Sequence, residues 1–222
     1  MGVGKKVAAA AGAQAAPKVG WSFVRQALDK AIDGVGPLRS AAESATTHMV
    51  DAHGDVEKAI RTLTRTHVGL AGAQGFVTNL GGLATLAVSV PANIAGVTLL
   101  QAHLVAGIAH LRGYDLDDPR VRNAILATML GDDKVGELVR RKSLPSPPMG
   151  LATAPSHAPE LDRIIASELT AELFTRTVGR RAVTLMARRI PVAGGVVAGG
   201  TDAYQTHQIG QYAAKELRDR RL

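Results

Sequence analysis

Three groups of residues have types and spacings that invite a chemical reading. The first is His103 and His110, which with Gly96 recur every seventh residue and so share one stripe of a helix. As zinc ligands they are badly spaced. Two histidines one helical turn apart can share an ion, whereas seven residues put them about 10.5 Å apart along the axis. Each would need partners from elsewhere, so the spacing favours hydrogen-bonded structural histidines. The second group is Asp115, Asp117 and Asp118, a cluster suited to a metal or to general-acid work. Yet Asp118 precedes Pro119, a capping carboxylate followed by proline at the first helical position, and Asp117 favours the positive end of the same helix dipole. The third is PVAGGVVAGGTDAY, where Gly194, Gly199 and Thr201 have the separation of a phosphate loop. Gly200 stands where that loop needs lysine, and no strand pattern precedes it, which argues against nucleotide hydrolysis. With no cysteine in the chain, disulfides and thiolate metal sites are excluded, and no cofactor is expected. A metal-dependent enzyme using His103, His110 and Asp115 stands last among the readings.

The elements that would position these residues are organised around Thr66–Leu111, a run without Asp, Glu, Lys or Arg. Such a run must be buried in protein or in lipid. Gly69, Gly72, Gly75, Gly81 and Gly82 would let helix backbones approach closely, as apolar helices do in lipid and tightly packed soluble helices do as well. Pro91 predicts a division into a short helix before it and a longer one from about Ala92 to Leu111. That longer helix carries Asn93, Thr98, Gln101, His103 and His110, too many polar groups for an ordinary lipid-facing span, and is expected to be a central helix of a soluble protein.

Before this run, Trp21, Val24, Leu28 and Ile32 predict an amphipathic helix to about Asp33, and Pro37 a second from about Leu38 to Asp51. A third is capped by Asp55, with Val56, Ile60, Leu63 and His67 on one face and Glu57 paired to Arg61 four residues on. After it, Arg141–Pro159 holds five of the ten prolines and is expected to be a linker or loop. Pro159 opens a long helical region in which Val178, Leu185, Met186 and Ile190 take one side. Arg176, Arg180, Arg181 and Arg188 take the other, making a basic amphipathic face. The last helix runs from about Thr201 to Arg220. The predicted organisation is thus a disordered tail (1–20), N-terminal helices with the central apolar unit (21–140), the proline-rich connector (141–159) and C-terminal helices packing on the same core (160–222). The predicted fold is all-α, a compact multi-helix domain around a central Gly-rich apolar helical hairpin.

Composition supports a helical core made of Ala, Val, Leu and Ile, since 46% of residues are hydrophobic but only 3% aromatic. The formal net charge of +7 favours an anionic partner. Nucleic acid is disfavoured because aromatic residues are not interleaved with the arginines. The expected partner is therefore an anionic membrane surface or a membrane protein, with self-association left open.

The runs RTHVGLAGAQGFVTNLGGLATLAVSVPANI and AHLRGYDLDDPRVRNAILATMLGD, with the closing phrase RRIPVAGGVVAGGTDAYQTHQIG, resemble the signature of the EcsC family of bacterial proteins. The resemblance covers roughly Trp21 to Lys215 and departs from the family at Arg141–Pro159. The family takes its name from a protein encoded beside an ABC-exporter operon. The resemblance implies an all-helical fold, a bacterial cytoplasmic setting and no catalytic residues to carry over. Together with the residues, it leads to an expected non-enzymatic helical protein at the inner face of the cytoplasmic membrane, accessory to export or envelope processes. Its lipid- or anion-binding residues would be Arg176, Arg180, Arg181 and Arg188, and its insertable or packing glycines Gly72, Gly75, Gly81 and Gly82. The alternative is a soluble protein-binding adaptor.

Overall fold

The computed structural model describes residues 22–80, 86–187 and 191–220, with side chains described over 22–74, 94–176 and 200–220. The expected tail, Gly81, Gly82 and Arg188 lie outside the described residues, and of Gly75, Arg180 and Arg181 only the helical backbone is described. Among the described residues the fold is all-α, with no strand. The helices are α1 (22–33), α2 (Ala41–Asp51), α3 (Val56–Leu80), α4 (Leu86–Leu111), α5 (Pro119–Leu130), α6 (Asp132–Arg140), α7 (Pro148–Ala152), α8 (Pro159–Ala187) and α9 (Pro191–Glu216).

Local sequence sets most of these boundaries. Ser40 and Glu43 form a reciprocal capping box at the start of α2, and the Asp55 carboxylate accepts from the Lys58 backbone N–H at 2.9 Å to open α3. Asp118 caps α5 as its sequence predicts, its carboxylate accepting from the Arg120 N–H at 2.8 Å with Pro119 next in line. Its carboxyl is held below the usual range chiefly by the Arg120 side chain. Between α5 and α6 the chain turns at Gly131, where φ is +88°, a conformation that side-chain-bearing residues rarely adopt.

Three expectations are corrected. Pro37 lies in a turn bracketed by the Val35–Leu38 bridge, and α2 starts at Ala41, where Ser40 supplies the cap that proline cannot. Pro91 lies inside α4, which begins at Leu86; this early in a helix a proline removes one backbone bond without ending the element. Residues 141–159 hold the helix α7, whose buried Leu151 and Ala152 pack with Leu144 into the main core, with α7 against α5. Proline at the first helical position starts this helix, and the apolar residues among the prolines bury it.

The contacts between long helices fix their directions. Gln74 lies on Gly96, His67 meets His103 and Leu63 lies on Gly107, so α3 and α4 are antiparallel and form the central hairpin. Along α4, Gln101 meets Thr206, Leu104 meets Gly210 and Arg112 reaches the Ala214 carbonyl, so α9 runs parallel to α4 and against α3. Since α8 precedes α9 by a short connection and packs beside it, the end of α3, the start of α4, the end of α8 and the start of α9 point the same way. The opposite end, the base, is where α1, α2, α5, α6 and α7 gather around the lower halves of these helices. There Arg112 joins Glu57 at 2.7 Å, while Arg25, Asn123, His157 and Asp162 tie α1, α5 and α8 together. Burial works against ionisation of Asp162, but Asn123, His157 and Arg25 together hold its carboxyl below the usual range.

Small residues bring the central helices close. A Cβ at Gly107 would stand 2.9 Å from a Leu63 methyl, and one at Gly210 would stand 2.7 Å from a Thr64 methyl. Helix backbones at that separation gain dispersion contacts along their length. Gly69, expected to serve such an approach, instead faces open space.

Candidate functional site

The uncharged run divides into two parts with different surroundings. From Ile94 to Leu111, α4 is long and apolar enough to cross a membrane, but 67% of that stretch is buried inside the protein. It is core, as its polar groups require. Thr98, Gln101 and His103 are each about 1% exposed; the Gln101 amide donates to Thr206, and His103 meets His67 and the Arg39 carbonyl. The remaining part, α3 beyond Thr66 and α4 before Ile94, runs to the end of the bundle where α8 stops and α9 begins.

The outer face of α3 leads toward that end. Helical spacing places Lys58, Arg61, Arg65, Gly69 and Ala73 in one stripe, and all five are exposed, while Ala59, Ile60, Leu63, His67 and Ala71 on the opposite side are buried. Sequence reasoning pairs Glu57 with Arg61. In the fold Glu57 turns instead to Arg112, just past the end of α4, whose side chain is only 12% exposed and gains more from a charge-assisted bond than a solvated arginine would. Lys58, Arg61 and Arg65 consequently have no ion-pair partner among the described residues. The stripe is basic over its first two turns and becomes apolar beyond Arg65, with Leu70 beside it 45% exposed.

The basic face expected on α8 is different. The Arg176 guanidinium donates from Nε to Glu172 at 2.8 Å and from its terminal nitrogens to the carbonyls of Met129 (3.3 Å) and Leu130 (2.7 Å). Those are the last carbonyls of α5, left without helical partners where Gly131 turns the chain, and a cation satisfies them well. Arg176 is thus drawn against the protein, at the edge of a groove of about 750 Å³ that mixes Asp132, Glu172 and Lys215 with Tyr204 and Gln208. Of the arginines expected to bind anions, it is the one whose side chain is described, and it holds two helices together.

The acid and histidine candidates are dispersed. Asp115 is exposed, and its carboxylate accepts from the Asp117 N–H at 3.0 Å in a local turn. His110 borders a shallow depression with Arg39, Glu43 and Thr47. Among the described residues no group of three metal-ligating side chains converges. His103 is the exception to isolation, since its Nδ1 lies 2.7 Å from Nε2 of His67, with both side chains buried. The sequence places His67 on the inner face of α3. Its pairing across 36 residues leaves no mark in local spacing.

The sequence profile of the EcsC protein family matches residues 23–222. Neither a curated protein nor a solved structure matches the chain.

Proposed function

The chain belongs to the EcsC protein family, and we propose that it works as a non-enzymatic helical protein that docks reversibly on the anionic inner face of the cytoplasmic membrane. The observation that carries this reading is the outer stripe of α3: three exposed cations without ion-pair partners among the described residues, followed on the same face by exposed apolar residues. A charged surface recruits such a stripe, and an apolar layer accepts its continuation.

The magnitudes fit reversible docking. Each cation held close to an anionic bilayer contributes about 1 kcal/mol, so Lys58, Arg61 and Arg65 together supply about 3 kcal/mol. This attraction is screened within roughly 10 Å at moderate salt. Firmer attachment draws on apolar surface, at about 25 cal/mol per Å² transferred from water. Engagement of the apolar unit of Gly72, Gly75, Gly81 and Gly82 is proposed as a slower second step.

Co-sedimentation with phosphatidylserine-containing and with neutral vesicles tests the proposal. The wild type should bind the anionic vesicles in a salt-sensitive way, and the variant carrying Lys58→Gln, Arg61→Gln and Arg65→Gln should bind them about a hundredfold more weakly at low salt. Equal binding by the two proteins would remove α3 from the interface. Absence of binding by the wild type would end the membrane reading in favour of the soluble adaptor.

A further inference from the structure

The buried histidine pair has a proton arithmetic that its four contacts decide. His67 Nδ1 lies 2.8 Å from the Leu63 carbonyl oxygen, and His103 Nε2 lies 3.0 Å from the Arg39 carbonyl oxygen. A carbonyl oxygen only accepts, so each of these nitrogens must carry hydrogen. In neutral imidazoles the two remaining nitrogens, His67 Nε2 and His103 Nδ1, would then both be bare lone pairs. They face each other at 2.7 Å. Two lone pairs at that distance repel, two N–H groups would collide, and a single proton between them makes a short charge-assisted hydrogen bond.

Ring placement agrees with such a bond. The ring centres are 5.0 Å apart with 24° between planes, and 5.0 Å is the N···N distance extended by the two ring radii. The imidazoles therefore meet edge to edge near a common plane, with the inner lone pairs directed along one line. Stacked rings would have brought the centres together without aligning the nitrogens.

We propose that His67 and His103 form a buried site for one proton, and that its occupancy clasps α3 and α4 to each other and to the start of α2. The Arg39 carbonyl lies immediately before the Ser40 cap, so the chain of hydrogen bonds runs from α2 through both rings to the backbone of α3. With one proton, all four ring nitrogens are satisfied. Without it, one ring must turn away, giving up either its carbonyl or its neighbour.

The surroundings limit the site to a single charge. From α2, His48 faces the pair; its ring is bonded to the Ser44 carbonyl and to Thr66, and when protonated it opposes charge on both rings. Arg39 and Glu43 stand at the start of the same helix, and the backbones of Arg39 and Ser40 favour a charged His103. On α4, His110 lies two turns further along. From α9 the central hairpin meets neutral Thr206 and Gly210, with the buried Asp202 one turn before Thr206. Burial is the largest influence on both rings and opposes charge on each, so the shared proton is held by the facing lone pairs and a second one is disfavoured further. The site is a property of the folded core and does not depend on lipid binding.

Nitrogen-resolved NMR of the full chain labelled with ¹⁵N-histidine, titrated from pH 8 to pH 4, tests this assignment. The expected result is a state in which three of the four ring nitrogens carry protons, with a scalar coupling across Nε2···Nδ1. Both rings enter that state in one step or already occupy it at pH 8. Amide exchange in the middle of α3 and α4 should be slowest in the same state. In His103→Gln, His67 should lose the coupling and titrate alone. Should that variant not fold, the wild-type titration decides by itself. Two rings that keep one N–H each throughout, or that titrate independently without coupling, would overturn the proposal.

Discussion

Helices α3 and α8 each carry a row of basic residues, and the fold uses the described cations of the two rows in opposite ways. On α8, Arg176 points inward, with Glu172 and the final carbonyls of α5 occupying its donors. On α3, helical spacing points Lys58, Arg61 and Arg65 outward, and the carboxylate nearest to them in sequence, Glu57, is taken by Arg112. A cation adjacent to an uncapped helix terminus becomes part of the scaffold, whereas a cation whose partner is taken elsewhere stays available to a ligand. Counting arginines along a helix cannot separate these cases. What separates them is the position of the next helix.

The contrast can be broken most forcefully at Arg176. Its replacement in Arg176→Ala leaves two α5 carbonyls and Glu172 without their cation in a half-buried corner, and hydrogen bonds to a charged group contribute about 1.5–3 kcal/mol. Urea unfolding should show a loss of about 2–3 kcal/mol. Vesicle binding of the folded variant should stay at the wild-type level. A variant of wild-type stability with weakened binding would mean that α8, rather than α3, meets the anion.

These two helices also mark how far the sequence could be read. Helix identities, the caps at Asp55 and Asp118, and the burial of α4 follow from spacing, because each depends on residues within a turn or two of one another. Even the side of α3 that is buried follows from Val56, Ile60, Leu63 and His67. The links that give α3 and α8 their different roles join Arg112 to Glu57, Arg176 to Leu130 and His103 to His67, across distances in sequence that periodicity does not encode. The segment 141–159 was obscured for a related reason. Its prolines announce breaks, but Leu144 and Leu151 are buried only because α5 is there to receive α7.

A second way to sharpen the contrast uses the inner face of α3. Burial lowers the His67 pKa from 6.5 to about 4, with the Leu63 carbonyl working the other way and the charges of His103 and His48 adding to the decrease. The unfolded chain charges His67 as pH falls through 6.5, whereas burial keeps a charge of its own off the folded His67 until about 4. The His67 contribution is therefore complete above 6.5 and is lost as pH falls from 6.5 towards 4, while a proton shared with His103 acts in the opposite sense and favours the fold once bound. Urea midpoints measured across that window should fall with pH, and the slope should flatten in His67→Gln. A change in vesicle affinity that tracks the unfolding midpoint would show that docking depends on the inner face too.

The smallest expected effect separates charge from burial on the outer face itself. Leu70 lies just past the last cation of the stripe and is 45% exposed, so Leu70→Gln removes little packing and should shift stability by no more than about 0.5 kcal/mol. If docking is carried by charge alone, the substitution leaves vesicle binding unchanged at every salt concentration. If the apolar continuation enters the bilayer, the half of the side chain still facing water contributes about 1 kcal/mol on transfer, or about fivefold in binding. That loss should persist at high salt, where the contributions of Lys58, Arg61 and Arg65 are screened, and the comparison is best made there. A fivefold loss at high salt with unchanged salt dependence would assign the stripe two successive functions, attraction at its first turns and insertion at its later ones. No loss at any salt would confine docking to the three cations.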